Sequence, residues 1–195
     1  MTVFYRMHYR HKLMTKNKKV GPPFLNGHNI ELHKLVLDDV SDEYLSWIHD
    51  EKINKYLESG FFPQTKEDLI RYVRINNENS QIILFKIIHK DANLHIGNVK
   101  LGPINWIHRR SPVGILIGNA DFHQNGVGTE ALELICDYSF RTLNLNKLTA
   151  GVDADNTSSI KLFEKLGFER AGVFTDHSFR EGNYNDSLLY ELLRR

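Results

Sequence analysis

The sequence predicts one α/β domain in which antiparallel hairpins outnumber crossover connections. Three observations carry this. Seven segments have strand length or strand alternation, four stretches have helical periodicity or capping signals, and no repeat or composition break divides the 195 residues. The expected architecture is a mixed, mostly antiparallel sheet of about seven strands flanked by about four helices. It occupies residues 29–195, behind a basic extension over residues 1–28.

Gly21-Pro22-Pro23 punctuates the extension, and Ile30-Glu31-Leu32-His33-Lys34-Leu35 alternates as a strand should. Asp38 or Asp39 is placed to cap a helix carrying Val40, Tyr44, Leu45, Trp47 and Ile48. An irregular stretch over residues 56–63 follows. Thr65, with Asp68 three residues on, starts a helix to about Asn79. Residues 81–89 form an apolar run of strand length, and residues 95–107 a second strand region broken at Gly102-Pro103. The corner His108-Arg109-Arg110-Ser111 leads into a strand from Val113 to Gly118. Val127, Ala131, Leu134, Ile135 and Tyr138 then share one helix face. Lys147 to Asp153 is a strand and Asn156 to Leu166 a helix, with Gly167 as its stop. Two strands, about 168–178 and 184–193, close the chain around Glu181-Gly182-Asn183.

Composition narrows the function classes. A single cysteine, Cys136, leaves no intramolecular disulfide and makes a reducing, cytoplasmic setting the default. No apolar run approaches the roughly 20 residues that span a bilayer. The net charge of +1 hides an asymmetry: residues 1–30 carry +6 and no acid, and the remainder carries −5. The basic head lacks the apolar stretch of a secretory signal. It reads as a solvated tail, as an upstream start where Met7 or Met14 would serve, or as appended sequence. Without ordered aromatic spacing it gives weak support to nucleic-acid binding, which is not expected. The ten histidines form no HExxH, HxH or Cys/His cluster, so no metal is expected.

The stretch from Ile117 to Ala131 is the most informative. It reads as strand, turn and then a helix opening on Gly126-Val127-Gly128. Glycines there let several backbone N–H groups converge at a helix N-terminus, which is an anion site. A helix-start loop that binds nothing is the alternative. Neither a dinucleotide fingerprint nor a P-loop is present. Downstream, Asn156-Thr157-Ser158-Ser159-Ile160-Lys161-Leu162-Phe163-Glu164-Lys165-Leu166-Gly167-Phe168 follows the next strand.

With these two motifs in this order, the sequence resembles the GNAT acetyltransferase family over about residues 29–193. The glycine turn looks like the end of its Q/R-x-x-G-x-G/A pyrophosphate loop, and the second motif like its following N-x-x-S helix. Within the family the likeness is to the branch of ribosomal-protein N-terminal acetyltransferases, which includes surface-sugar acetyltransferases. Ile96-Gly97-Asn98 and Gly102-Pro103-Ile104-Asn105-Trp106 add to it. The resemblance implies splayed central strands and acetyl-CoA in the V-shaped gap between residues 113–118 and 147–153. Backbone N–H groups of Gln124, Asn125, Gly126, Val127, Gly128 and Thr129, with His123, would take the pyrophosphate. The strand edge at Ile115, Leu116 and Ile117 would pair with the pantetheine amides. Asn156 would hydrogen-bond the arm, cap its helix, or do both.

The sequence departs from the family pattern at four points. His123 stands where Gln or Arg is usual, and Gln124 where this branch often has Gly. Phe163 replaces the tyrosine that protonates the departing thiolate in many relatives, and Gly151 stands where some carry a glutamate base. A thiol of pKa about 8.5 is a tolerable leaving group near neutrality, and Ser159, Ser158 or a water can relay its proton. An ammonium of pKa near 10 must lose a proton before it attacks, so a base is worth about 10²–10⁴-fold. From the resemblance, His177 is the first candidate base, Glu58 the second and Asp186 the third, the last also as an orienter of His177. A hydrogen-bonded strand histidine is the plainer reading of His177. Backbone N–H groups near Leu116 to Gly118 would stabilise the oxyanion. Cys136 sits mid-helix with no apparent histidine partner, which favours direct transfer over an acyl-enzyme.

Phe61, Phe62, Trp106 and Arg109 would shape access for the acceptor, with core packing as the other reading of the aromatics. Arg109 and Arg110 would grip a nucleotide diphosphate or form a solvated hairpin tip. The expected function is acetyl-CoA-dependent N-acetylation of a small-molecule amine, an amino-sugar nucleotide first. The alternatives are protein N-terminal acetylation and a non-catalytic acyl-CoA-binding module. A homodimer is left open.

Overall fold

The structure, a computed structural model, describes residues 21–194; the six cationic residues of the basic head lie outside them. Eight strands form one sheet: β1 (Leu25–Asn26), β2 (Ile30–Lys34), β3 (Ile83–His89), β4 (Leu94–Leu101), β5 (Arg110–Ile117), β6 (Lys147–Asp153), β7 (Glu169–Arg180) and β8 (Asn183–Leu193). Their spatial order is β1-β2-β3-β4-β5-β6-β8-β7, antiparallel throughout except where β5 meets β6. Helices α1 (Asp42–His49), α2 (Glu51–Asn54) and α3 (Lys66–Glu78) precede β3, α4 (Val127–Asp137) joins β5 to β6, and α5 (Thr157–Lys165) joins β6 to β7.

Two apolar clusters flank the sheet. On one face α4 and α5 bury Val127, Ala131, Leu132, Ile135 and Phe163 against Ile87, Val99, Val113, Leu148, Ala150 and Val152. On the other, α1 and α3 bury Tyr44, Trp47, Ile48, Leu69 and Val73 against Leu84, with Leu116 at the margin. Strands β3 and β5 thus send alternate residues to the two clusters, Phe85, Ile87, Ile115 and Ile117 to one and Leu84 and Leu116 to the other.

The local signals held in most places and failed in a few. The Thr65–Asp68 box caps α3 as its spacing predicts. The first helix is capped by Ser41, whose side chain accepts the Tyr44 N–H at 3.0 Å, and not by Asp38 or Asp39. Asp39 instead accepts the Val36 N–H and pairs with Lys86, because residues 37–39 form a separate 3₁₀ turn. Strand β5 begins at Arg110 rather than Val113, since Asn105 and Arg110 bridge the corner. Strand β7 runs on to Arg180, and the turn is the pair Glu181 and Gly182, both at positive φ. The eighth strand is the two-residue β1, which lies upstream of Asn29 and is too short to carry a pattern.

Candidate active site

Strands β5 and β6 run parallel but pair only over Arg110–Lys147, Ser111–Leu148 and Pro112–Thr149. Beyond Pro112 they diverge, as the family likeness implied, leaving a V whose closed end is at residues 110–112. The Gly102 N–H bonds the Pro112 carbonyl and the Gly118 N–H bonds Ile96. Strand alternation therefore turns the backbone groups of Pro112, Gly114, Leu116 and Gly118 toward β4, and those of Val113, Ile115 and Ile117 toward the gap. The backbone groups of Leu116 and Gly118, two of the residues named from the sequence, therefore face β4, and the groups left facing the gap are those of the odd-numbered residues.

At the open end, the chain leaves β5 through a 3₁₀ turn capped by Asn119. Gln124 and Gly126 both adopt positive φ, 62° and 81°. That double reversal brings the chain back under the gap, and Gly126 is the N-cap of α4. A glycine has no side chain to cap with. The first intrahelical bond, Glu130 N–H to Gly126, leaves the N–H groups of Val127, Gly128 and Thr129 at the free end of an 11-residue helix. Gly128 packs over Ile115, Ile117 and Leu162, so helix end, strand edge and α5 meet on one apolar floor. His123 folds back on the strand, its Nε2 on the Ile117 carbonyl at 2.8 Å, and Asn125 donates to the Asp121 carbonyl. Asn156 caps α5, its Oδ1 accepting the Ser159 N–H at 3.1 Å. Ser159 is half-buried one turn into that helix, and Phe163 is core, its ring edge-on to Phe168.

The other side of the gap carries a network that the sequence reading missed. Asp153, at the end of β6, accepts from Arg180 at 2.6 Å and from Ser178 at 2.7 Å. Its side chain is 5% exposed and that of Arg180 15%. Arg180 also donates to the Lys55 carbonyl and lies over the Tyr56 ring at 4.9 Å, while the Tyr56 hydroxyl bonds the Asp155 carbonyl. The loop after α2 is thereby tied to the end of β6 and to the closing hairpin. Its Glu58, Phe61 and Phe62 are exposed, the two rings at 55% and 69%, so core packing does not account for them.

His177 lies on β7, the edge strand, inside an irregularity where residues 175–177 oppose Asp186 alone. Its ring is exposed and stacked on Phe174. Asp186 does not orient it, because its Oδ1 accepts the Asp176 N–H instead. The network on Asp153 could not be seen in advance, since its bonded members are 25 to 125 residues apart. Trp106 and Arg109 sit on the β4–β5 corner at the closed end of the V. Arg109 adopts positive φ and gives its carbonyl to Asn146 and Lys147. Among the described residues, no group of three His, Cys, Asp or Glu side chains is placed for a metal ion, and no helix is long and apolar enough to cross a membrane.

A splayed strand pair with an uncapped helix end at its mouth has the shape and charge to take an elongated anionic thioester. Residues 29–169 match the acetyltransferase (GNAT) domain, and the chain belongs to that family. It is accordingly an N-acetyltransferase using acetyl-CoA. It is 29% identical over 168 residues to the uncharacterized N-acetyltransferase p20 of Bacillus licheniformis, covering 85% of this chain and 93% of that protein. It is 31% identical over 146 residues to a spermidine N(1)-acetyltransferase of Vibrio cholerae, covering 73% and 83%. The crystal structure of a Vibrio cholerae spermidine N-acetyltransferase with CoA and spermine shares the fold, with a TM-score of 0.76, 24% identity and 85% and 95% coverage.

Proposed function

We infer that the chain moves the acetyl group of acetyl-CoA directly onto the amine of a small molecule. The observation that carries this is the free N-terminus of α4 at the mouth of the β5–β6 gap. Its three N–H groups and helix dipole suit a pyrophosphate, and the gap-facing groups of Ile115 and the Ile117 N–H suit the pantetheine amides, the Ile117 carbonyl being engaged by His123. The Nδ2 group of Asn156, not used by its cap, is left for the arm.

In the transfer, the neutral amine nitrogen bonds to the thioester carbon, the carbon–sulfur bond breaks and the thiolate leaves. Gap-facing N–H groups on β5 hold the developing oxyanion. His177 takes the ammonium proton before attack, with Glu58 as the second candidate, and the proton that the nitrogen sheds as the amide forms passes through Ser159 or a water to sulfur. A direct path is supported by Cys136, whose thiol burial pushes up to about 12, with Glu133 adding to the rise. Such a thiol is a poor nucleophile at neutral pH.

The small-amine acceptor is supported by the spermidine-acetylating relatives. Within that class an amino-sugar nucleotide suits the acceptor face better than a polyamine or a basic peptide. Asp153 is spent on Arg180, while Lys100 and Arg110 on this face have no acidic partner among the described residues.

Release of free CoA thiol, followed by colour with a panel of amines, tests the reading. Amine-dependent release is expected. In His177→Ala, kcat falls about 10²-fold or more with the KM for acetyl-CoA unchanged; an unaltered kcat would remove His177 from the mechanism. Binding of acetyl-CoA with no amine-dependent release would favour the non-catalytic module.

A further inference from the structure

A cavity of ≈ 350 Å³ lies at the closed end of the V, lined by Gln81, Pro103, Ile104, Asn105, Arg110, Ser111, Pro112 and Thr149. That volume is within the range of small-ligand sites. Its rim is fixed by backbone bonds: Ile104 N–H to the Gln81 carbonyl at 2.7 Å, Gly102 N–H to Pro112 at 2.9 Å, and mutual bonds between Asn105 and Arg110. Gly102 is required there, because at φ +126° a Cβ would lie 2.4 Å from the Gln81 carbonyl oxygen.

The cavity adjoins the site of transfer. Pro112 and Thr149 are the last residues at which β5 and β6 pair, and both line it. Two residues further along each strand, on the same face, stand Gly114 and Gly151. A Cβ on Gly114 would meet nothing within 4 Å, and one on Gly151 only the Ser187 Oγ at 3.8 Å. A side-chain-free floor therefore runs from the cavity to the splayed part of the gap, about 7 Å away along either strand.

The donors that reach this cavity outnumber the acids. Arg110 has no ion-pair partner among the described residues, and Asn105 uses its Oδ1 on the His108 N–H, leaving its amide nitrogen. Gln81 and Thr149 add an amide and a hydroxyl. Lys100, cross-strand from Gly114, is outside the lining, its ammonium lying over the Tyr72 ring at 5.5 Å. Glu191, cross-strand from Thr149, is paired with Lys147.

We propose that this cavity is the acceptor's tail site and takes a phosphate group, with Arg110 as the principal contact, while the acceptor amine lies over Gly114 and Gly151. The proposal rests on the reading of the gap as the place of acetyl transfer. It replaces Arg109, whose backbone is tied to residues 146 and 147, by its neighbour as the gripping arginine. It also makes the substrate an amine bearing a phosphoryl group rather than a bare polyamine.

Two measurements test it, the first through that reading and the second independently of it. The first compares kcat/KM for glucosamine, glucosamine 6-phosphate, UDP-glucosamine and spermidine in the full chain and in Arg110→Ala. A preference for a phosphorylated amine over glucosamine is expected, and it falls about 10- to 100-fold in the variant, as for a charge-assisted hydrogen bond. The two phosphorylated acceptors distinguish a monophosphate from a nucleotide source. A preference for spermidine, or a preference for phosphate that survives in the variant, overturns the proposal. The second is calorimetric titration of inorganic pyrophosphate into protein held in excess CoA, with and without the substitution. Binding that is lost in Arg110→Ala supports the tail site even where no amine is turned over. No binding, or equal binding in both, overturns it whatever the turnover result.

Discussion

Asp153 shows how much a single residue holds in place. It ends β6, and its carboxylate gathers Arg180 and Ser178 from β7, while Arg180 reaches on to the Lys55 carbonyl and the Tyr56 ring. A buried pair of this kind fixes a geometry more than it adds net stability, but removing one partner strands the other. Arg180→Ala should therefore cost about 3 kcal/mol in a denaturant titration. A loss under about 1 kcal/mol would mean that solvent screens the pair. Two glycines have the same standing for steric reasons. A Cβ on Gly118 would enter the Trp47 ring at 2.0 Å, and one on Gly97 would lie 2.2 Å from the Leu116 carbonyl oxygen. The family likeness marked Gly97 without a reason; the close approach of β4 to β5 supplies it.

At the scale of elements, helix α4 serves both ends of the molecule's function. Its N-terminus is left open at the gap, and its Glu130 ties down the strand at the start of the sheet. The Glu130 carboxylate accepts from the Asn29 N–H at 2.8 Å and the Asn29 amide at 3.0 Å. Burial pushes this carboxyl up, but the bonds from Asn29, Ile30 and His28 outweigh it and leave the pKa below its ordinary value. A depressed carboxylate pKa stabilises the fold above the unfolded value of about 4.3 and loses that contribution as pH falls through the folded value. Glu130→Gln should thus destabilise by about 1 kcal/mol at pH 7, with the gap from wild type closing below about pH 4. A gap that is constant with pH would assign the effect to packing. The helices themselves were legible because their signals are local: Thr65 with Asp68, Asn156 with Ser159, Gly167 at φ +81°. The first helix was assigned the wrong cap because a 3₁₀ turn intervenes, and such a turn leaves no periodic trace.

Across the whole molecule, the donor side of the site was legible and the acceptor side was not. The donor side is made of consecutive backbone in one strand–turn–helix, so glycine spacing records it. The acceptor side proposed above draws on the loop after α2, the β4–β5 corner and the closing hairpin, whose members are distant in sequence and are brought near one another by the sheet order. Alternation decides which residues of β5 face the gap: of the three named from the sequence, it leaves Ile115 and Ile117 there and turns the backbone groups of Leu116 to β4. The proposed function turns on free N–H groups at the head of α4 holding the donor's pyrophosphate. Gly126, at φ +81° with open space around its Cβ direction, allows a matched pair of substitutions, because Asn and Asp both tolerate that conformation and both cap helices. The measurement is the acetyl-CoA dissociation constant of wild type, Gly126→Asn and Gly126→Asp. The aspartate variant should bind about tenfold or more weakly than the asparagine variant, since it places a negative charge where the pyrophosphate sits. Equal affinities in the two variants would place the pyrophosphate away from the head of α4.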